Sequence, residues 1–218
     1  MSTLRSVGHL AAVSLVGMLV LNGCTGTPGS APPTSSADAD GPRLGAEAPT
    51  PPAGEVTGTG TVMDENGAVE FCLGPIMESY PPQCSGIPIE GWSWDGVEGS
   101  EASGTTRWGA YALTGTYDGE RFTPTQPPIL LALYDPMMPE DPTGGETGDT
   151  SEERLLEIQA QLDGRLGDDG STYFGSYPER GYLWVDVLWD DGTYQNAADA
   201  EFGDGVVVIR SALRESAG

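Results

Sequence analysis

The sequence contains no lysine and a single histidine, His9. Its 9 basic residues are therefore all arginine, and they face 33 acidic residues, which gives a formal net charge of −24. A surface this acidic repels phosphate backbones and anionic lipid headgroups, so we expect no nucleic-acid partner. The charge is typical of an exposed protein that must stay in solution, and cation binding is the alternative.

Long hydrophobic runs are equally scarce, and the one that stands out is Leu10–Leu21, an apolar run of 12 residues. It is too short to span a membrane, which takes ~20 residues, but it suits the apolar region of a signal peptide. The segment before it carries one arginine, Arg5. We therefore interpret residues 1–23 as a signal peptide, and a buried N-terminal helix is the alternative.

The end of this run, Leu21-Asn22-Gly23-Cys24, resembles the lipobox of bacterial lipoproteins. The resemblance implies that the Cys24 thiol is diacylglycerated and that a signal peptidase cuts directly before it. Two or more acyl chains anchor a protein stably where one chain would not. We therefore expect a protein held by lipid at the outer face of the cell membrane.

Removal of residues 1–23 would leave a mature chain with neither histidine nor lysine. Such a chain cannot build a Ser–His–Asp triad, a Cys–His pair, a Schiff-base lysine or an ordinary zinc site. Enzymes that use carboxylates alone remain, above all glycoside hydrolases, but the sequence singles out no pair among its 33 acids.

The segment after Cys24 is poor in large apolar residues. Residues 25–55 consist almost entirely of Gly, Pro, Ser, Thr, Ala and acids, and Leu44 is the one large apolar residue. This composition cannot bury enough apolar surface to offset the entropy of ordering. We interpret residues 24–55 as a disordered tether with a root-mean-square reach of roughly 30 Å.

The sequence has only three cysteines, Cys24, Cys72 and Cys84. With Cys24 lipidated, the remaining pair should form a disulfide outside the cell. A redox-active pair is the alternative, although no CxxC spacing supports it. The intervening loop, Leu73–Gln83, holds three prolines and cannot be a helix interior or a central strand.

Residues 56–126 are predicted to be all-β because short alternating segments are separated by Gly- and Asp-containing turn signals. The predicted strands are Val56–Met63, Ala68–Leu73, Pro88–Trp94, Arg107–Tyr117 and Glu120–Thr125. Short strands with glycine at the bends are typical of a small β-barrel or sandwich.

Residues 127–218 are predicted to be mixed α and β, so that the whole chain is α+β and mainly antiparallel. A capping box at Thr150 and Glu153 predicts a helix start, and a helix-spaced apolar stripe follows: Leu155, Ile158, Leu162 and Leu166. Gly167 or Gly170 should end this helix. Strands are predicted over Ile129–Tyr134, Ser171–Tyr177, Tyr182–Trp189, Thr193–Ala198 and Val206–Leu213.

The predicted helix should lie on an antiparallel meander formed by the strands that follow it. Val185, Val187 and Trp189 alternate onto one face of their strand, which we assign to the core. The sequence leaves open whether residues 56–126 and 127–218 share one core.

Three segments resemble a group of uncharacterised lipoproteins from high-GC Gram-positive (actinobacterial) bacteria. They are the stretch Phe71–Trp94, the later RWGAY and TGTYDG motifs, and the C-terminal DAEFGDGVVVIRSALR. The resemblance implies the same lipid-anchored address and adds no reaction.

Two sets of residues are candidate sites. Asp190, Asp191, Asp199 and Asp204 offer clustered oxygens that suit calcium, although Asp-Gly is also a favoured turn and the spacing matches no EF-hand loop. Trp184 and Tyr182 lie on the strand face opposite Val185. Either a second layer covers that face, or it is a surface that binds a glycan or a protein.

These observations favour a non-catalytic binding or interaction module of the cell envelope, with an envelope protein or glycan as its partner. A carboxylate-based glycan hydrolase of the cell wall is the alternative. Because arginines are few, we expect most acids to be crowded by like charges and stability to rise modestly toward ~pH 5.

Overall fold

Two long antiparallel strands form the centre of the larger sheet. Strand β1 is Val56–Glu65 and strand β5 is Thr106–Tyr117, and they pair continuously from Val56 opposite Gly115 to Glu65 opposite Thr106. The computed structural model describes residues 41–135, 141–162, 164–167 and 169–216, all within one compact unit, Ala39–Gly218.

Short strands line both edges of this central pair. They are β2 (Ala68–Cys72), β3 (Ile87–Pro88), β4 (Glu101–Ser103), β6 (Phe122–Pro124), β7 (Ile129–Leu130) and β11 (Arg214–Glu215). β2 and β11 pair with β1, β3 pairs with β2, and the other three pair with β5. Within the described ranges the sheet does not close into a barrel.

One face of the larger sheet builds one of the two large buried clusters. Val62, Phe71 and Leu113 are fully buried there. Two residues from the C-terminal part of the chain, Leu188 and Leu213, are buried in the same cluster. Residues 127–218 therefore contribute directly to the core of the part predicted to be all-β.

The smaller sheet has three strands and contains a parallel pair. β8 (Tyr173–Glu179) and β9 (Tyr182–Val187) are antiparallel, but β10 (Val207–Ser211) runs parallel to β9. Helix α2, Thr193–Phe202, makes the crossover that a parallel pair requires. The fold is α+β and mainly antiparallel as predicted, but the predicted meander with one helix is wrong because Thr193–Ala198 is helical.

Asp190 explains why the segment after it is a helix. Its carboxylate accepts hydrogen bonds from the backbone N–H groups of Tyr194, at 2.8 Å, and Gln195, at 3.2 Å, in the first turn of α2. Ala197 and Ala198 then bury their small side chains beneath the helix. The Asp-Asp-Gly signal thus begins a helix and does not close a hairpin.

Helix α1, Glu152–Leu162, begins one residue later than the capping box predicts. The Ser151 hydroxyl, and not that of Thr150, accepts the Arg154 N–H at 3.3 Å. The helix ends at Leu162, ahead of the predicted glycines, and Gly164 already has a left-handed φ of 73°. The predicted apolar stripe is confirmed, since its four members are buried in one cluster: Leu155, Ile158, Leu162 and Leu166.

Part of the segment interpreted from its composition as a disordered tether packs against the fold. Leu44 is 1% exposed and lies in the cluster beneath the smaller sheet. The Leu44 N–H donates to the Glu201 carboxylate at 2.9 Å, and the Trp189 indole N–H donates to the Thr50 carbonyl at 2.9 Å. Residues 41–55 are therefore attached to the fold. Trp189 packs beside them and against the core cluster of the larger sheet, not in the cluster that holds Val185 and Val187.

Candidate functional site

The disulfide predicted from the cysteine count is present between Cys72 and Cys84, whose Cα atoms are 6.1 Å apart. Cys72 is the last residue of β2, so the bond ties the following loop, residues 73–83, to the larger sheet. Inside the loop the Met77 N–H donates to the Gln83 carbonyl at 2.8 Å. Covalent and hydrogen bonds together hold the loop in a defined shape.

Three apolar side chains project from this loop into solvent, and we call them the loop tip. Their exposed fractions are 38% for Ile76, 63% for Met77 and 73% for Tyr80. The Tyr80 ring meets the ring of the buried Trp108 edge to face, with centroids 5.6 Å apart. Adjacent exposed apolar side chains on a fixed loop are typical of an interaction surface.

The sheet next to the loop tip carries acids on either side of an apolar centre. Met63 in β1 is opposite Glu70 in β2 and Trp108 in β5, and Trp108 is opposite Glu101 in β4. Residues that are directly opposite in neighbouring strands point to the same face. These four side chains therefore lie in one row, with a glutamate on either side of Met63 and Trp108.

Four glutamates lie in the loop or on the sheet face that the loop contacts, and we call them the acidic rim: Glu65, Glu70, Glu78 and Glu101. Glu65 shares the face of Met63 because it lies two residues further along β1. Among the described residues, no arginine lies on this face of the sheet in this row or in the nearest rows on the same face. The adjacent Arg107 points to the opposite face, where its guanidinium carbon lies 4.5 Å from the Trp94 ring centroid.

Trp184, for which the sequence left open a covered face or, with Tyr182, a binding surface, is 2% exposed. Its indole N–H donates to the Glu179 carbonyl at 3.2 Å. The guanidinium carbons of Arg180 and Arg210 lie 5.3 Å and 5.1 Å from its ring centroid. The face that carries Trp184 is therefore covered, in part by arginine side chains, and presents no open indole ring.

The acids predicted to bind calcium hold backbone groups at the two ends of α2. Asp191 accepts the Thr193 and Thr50 N–H groups, both at 3.1 Å, and Asp199 accepts the Gly205 N–H at 3.1 Å. Asp204 lies in the turn before β10. In the described ranges, no three His, Cys, Asp or Glu residues are arranged to hold a metal ion.

The alternative of a carboxylate-based hydrolase depends on an acid with a raised pKa in a cleft. Burial raises the pKa of Asp190, which lines a cavity of about 620 Å³ together with Asp191 and Glu215. Both Asp190 oxygens, however, accept backbone N–H groups of α2. The structural role of Asp190 as a helix cap therefore accounts for its burial.

Glutamine side chains occupy both outer edges of the smaller sheet. Gln195 donates to the Val207 carbonyl and accepts the Ile209 N–H, both at 2.9 Å, along the edge of β10. Gln159 donates to the Ser176 carbonyl along β8. Because these edge groups are already paired, this sheet is a poor template for an added strand.

The directions in which the carboxyl pKa values are shifted contradict the expectation that the stability of the fold rises toward ~pH 5. Hydrogen bonds from backbone, hydroxyl or arginine groups hold the pKa of five carboxyl groups below the ordinary value: Asp118, Asp141, Asp169, Asp191 and Glu201. A depressed folded pKa stabilises the fold above the unfolded pKa, and that contribution is lost as pH falls through the folded pKa. The one raised carboxyl pKa, that of Asp190, has burial and not like charge as its main cause.

We therefore expect the melting temperature to stay level between ~pH 9 and ~pH 5 and to fall below ~pH 4. At the alkaline end, burial raises the pKa of Tyr117 to about 12. Its contribution is present below the unfolded pKa of ~10 and is lost as pH rises toward the folded value. Thermal melts across this range check both limits, and a melting temperature that rises from neutral pH toward ~pH 5 would contradict the acid limit.

The sequence left open whether the face of Trp184 is covered or binds a partner, and the structure covers Trp184. The sequence did not single out Met77 and Tyr80, which the structure exposes. A usable signal was present, because the prolines of Leu73–Gln83 keep this loop out of the sheet interior. Apolar side chains in such a loop must either fold back onto the sheet or face solvent.

Cys24, the predicted lipidation site, lies outside the described residues. Within the described ranges, no helix has the length and apolar character needed to cross a membrane. No protein-family model, curated protein or solved structure matches this chain.

Proposed function

We propose that this chain is a non-catalytic binding protein of the cell envelope, anchored by lipid on Cys24, and that it contacts its partner through the loop tip. The observation that carries the proposal is the 63% exposure of Met77 and 73% exposure of Tyr80 on a loop closed by the disulfide. Tyrosine is enriched among the residues that dominate binding energy, and methionine adapts to irregular partner surfaces.

The fixed shape of the loop supports this role. A disordered segment loses conformational entropy when it binds, whereas a loop already held in one shape loses less. The Cys72–Cys84 bond, the Met77–Gln83 hydrogen bond and the Tyr80–Trp108 contact all restrict the loop before any partner arrives. The remaining binding free energy then comes from burying the exposed apolar surface.

Site-specific photocrosslinking in cells that carry the protein in their envelope tests this contact. We would place a photoreactive phenylalanine analogue at Tyr80 and, as a matched control, at Leu156, an isolated side chain on α1 that is 47% exposed. We expect a discrete adduct from the Tyr80 position and none of that size from Leu156. Identical adduct patterns from the two positions, or no adduct from Tyr80, would contradict the proposal.

The anchor itself gives a second prediction. Changing Cys24 to Ala should release the protein from the membrane fraction or leave its precursor uncut, because the thiol that accepts the lipid is gone. Fractionation and the apparent mass of the protein measure both effects. The matched control is Ser30→Ala, which removes a polar side chain from the same segment and leaves Cys24 in place. Processing and partitioning of Cys24→Ala that match those of Ser30→Ala would refute the anchor.

A further inference from the structure

We propose, resting on the function above, that the loop tip and acidic rim together bind a basic protein surface, in which Lys or Arg side chains surround an apolar pocket. The loop tip would enter the pocket, and the rim would meet the basic side chains. The arrangement has the form of a protein interface, with an apolar centre and a charged border.

The positions of the rim residues define the spacing of the partner's charges. Glu70 in β2 and Glu101 in β4 lie in one row and are separated by β1 and β5. Neighbouring strands are ~4.8 Å apart, so the backbones of these two glutamates are separated by roughly 14 Å. Glu78 lies in the loop itself, between Met77 and Tyr80 in sequence. A partner should therefore present cations on opposite sides of its pocket.

Charge also disfavours the other occupants of this surface. A second copy of the chain would bring another net charge of −24 and a second acidic rim against the first. Anionic lipid headgroups are repelled for the same reason. A neutral glycan could stack on Tyr80 but would leave the rim carboxylates without counter-charges.

The rim and the tip should contribute differently to binding. Exposed ion pairs are individually weak and are screened by salt, and they mainly set specificity and association rate. The loop tip supplies the apolar area that holds the complex together. Binding should therefore need the tip at every ionic strength and the rim only at low ionic strength.

The test uses the full chain in a neutral detergent and four defined probes. These are a peptide of alternating arginine and leucine, its glutamate and serine counterparts, and a chitin-type oligosaccharide as a neutral glycan. At ~0.05 M NaCl we expect the arginine peptide to bind about tenfold more tightly than the serine peptide, which three weak ion pairs can supply. This preference should shrink at ~0.5 M NaCl, where the Debye length is only about 4 Å.

Two variants separate the contributions of tip and rim. The combined change Met77→Ser and Tyr80→Ser should weaken both the arginine and the serine peptide. The combined change Glu65→Gln, Glu78→Gln and Glu101→Gln should remove only the preference for arginine. Its matched control makes the same change at three exposed glutamates outside the loop and its sheet face: Glu47, Glu120 and Glu146.

Several outcomes would overturn the inference. The first two are that the arginine peptide does not bind at low salt, and that the glutamate peptide binds as tightly as the arginine peptide. The third is that the control variant loses the preference for arginine as fully as the rim variant does. The fourth is that the oligosaccharide binds more tightly than the arginine peptide and independently of salt. None of these results depends on the crosslink from Tyr80. A discrete Tyr80 adduct combined with any of them would retain the loop as the contact and reject a basic partner.

Discussion

Replacing Leu44 with alanine should lower the free energy of unfolding by about 3 kcal/mol, as much as a core substitution, although Leu44 lies in a Gly- and Pro-rich segment. Its side chain is 1% exposed and packs in one cluster with Leu155 and Ile158. Truncation would leave a cavity among side chains that have little room to collapse. The segment is further held where Arg165 pairs with Glu201, the acceptor of the Leu44 N–H.

Denaturant unfolding of the full chain, followed by tryptophan fluorescence, measures this loss. Leu156→Ala is the matched control, because Leu156 is 47% exposed on α1 and its truncation should change stability by no more than about 0.5 kcal/mol. Equal effects of the two substitutions would show that residues 41–55 do not stabilise the fold.

Removing the disulfide by changing Cys72 and Cys84 together to Ala should cost a similar amount, about 3 kcal/mol. The bond closes a loop across a sequence separation of 12, and opening it restores conformational freedom to the unfolded chain. The loop tip should also lose its defined shape, because the loop would then be held chiefly by the Met77–Gln83 hydrogen bond and the contact of Tyr80 with Trp108.

Unfolding free energy and amide hydrogen exchange measure the two consequences separately. Exchange should quicken in residues 73–83 and change little in β8 and β9, which lie in the other sheet. Leu156→Ala is the control, since this exposed side chain lies outside the loop and can be changed with little effect on stability. Unchanged exchange in the loop of the double alanine variant would show that the bond does not shape it.

Local patterns predicted some elements well. The four residues of the predicted apolar stripe are buried together, although α1 ends at Leu162, before Leu166. The strands Val56–Glu65 and Thr106–Tyr117 were predicted to within two residues at each end. Periodicity predicts such elements because one face of each must reach the core. The disulfide followed from cysteine parity, which also depends on the sequence alone.

Other features depend on partners that are distant in sequence. Asp190-Asp191-Gly192 suits a hairpin turn or a helix start, and the parallel pairing of β9 with β10 requires the helix. The sequence around Leu44 could not show that this side chain is buried, because its neighbours in the core come more than a hundred residues later. Local propensity is a weak guide when such contacts decide the outcome.

By itself, the sequence determined the charge, the cysteine pairing, the apolar stripe of α1 and the absence of lysine and of any histidine beyond His9. These properties depend on composition and on neighbours along the chain. Only the tertiary structure decided which aromatic residues are exposed, because burial depends on what packs against a side chain. Arginines and neighbouring strands cover Trp184, whereas the disulfide loop holds Tyr80 in solvent, above Trp108 and among four glutamates.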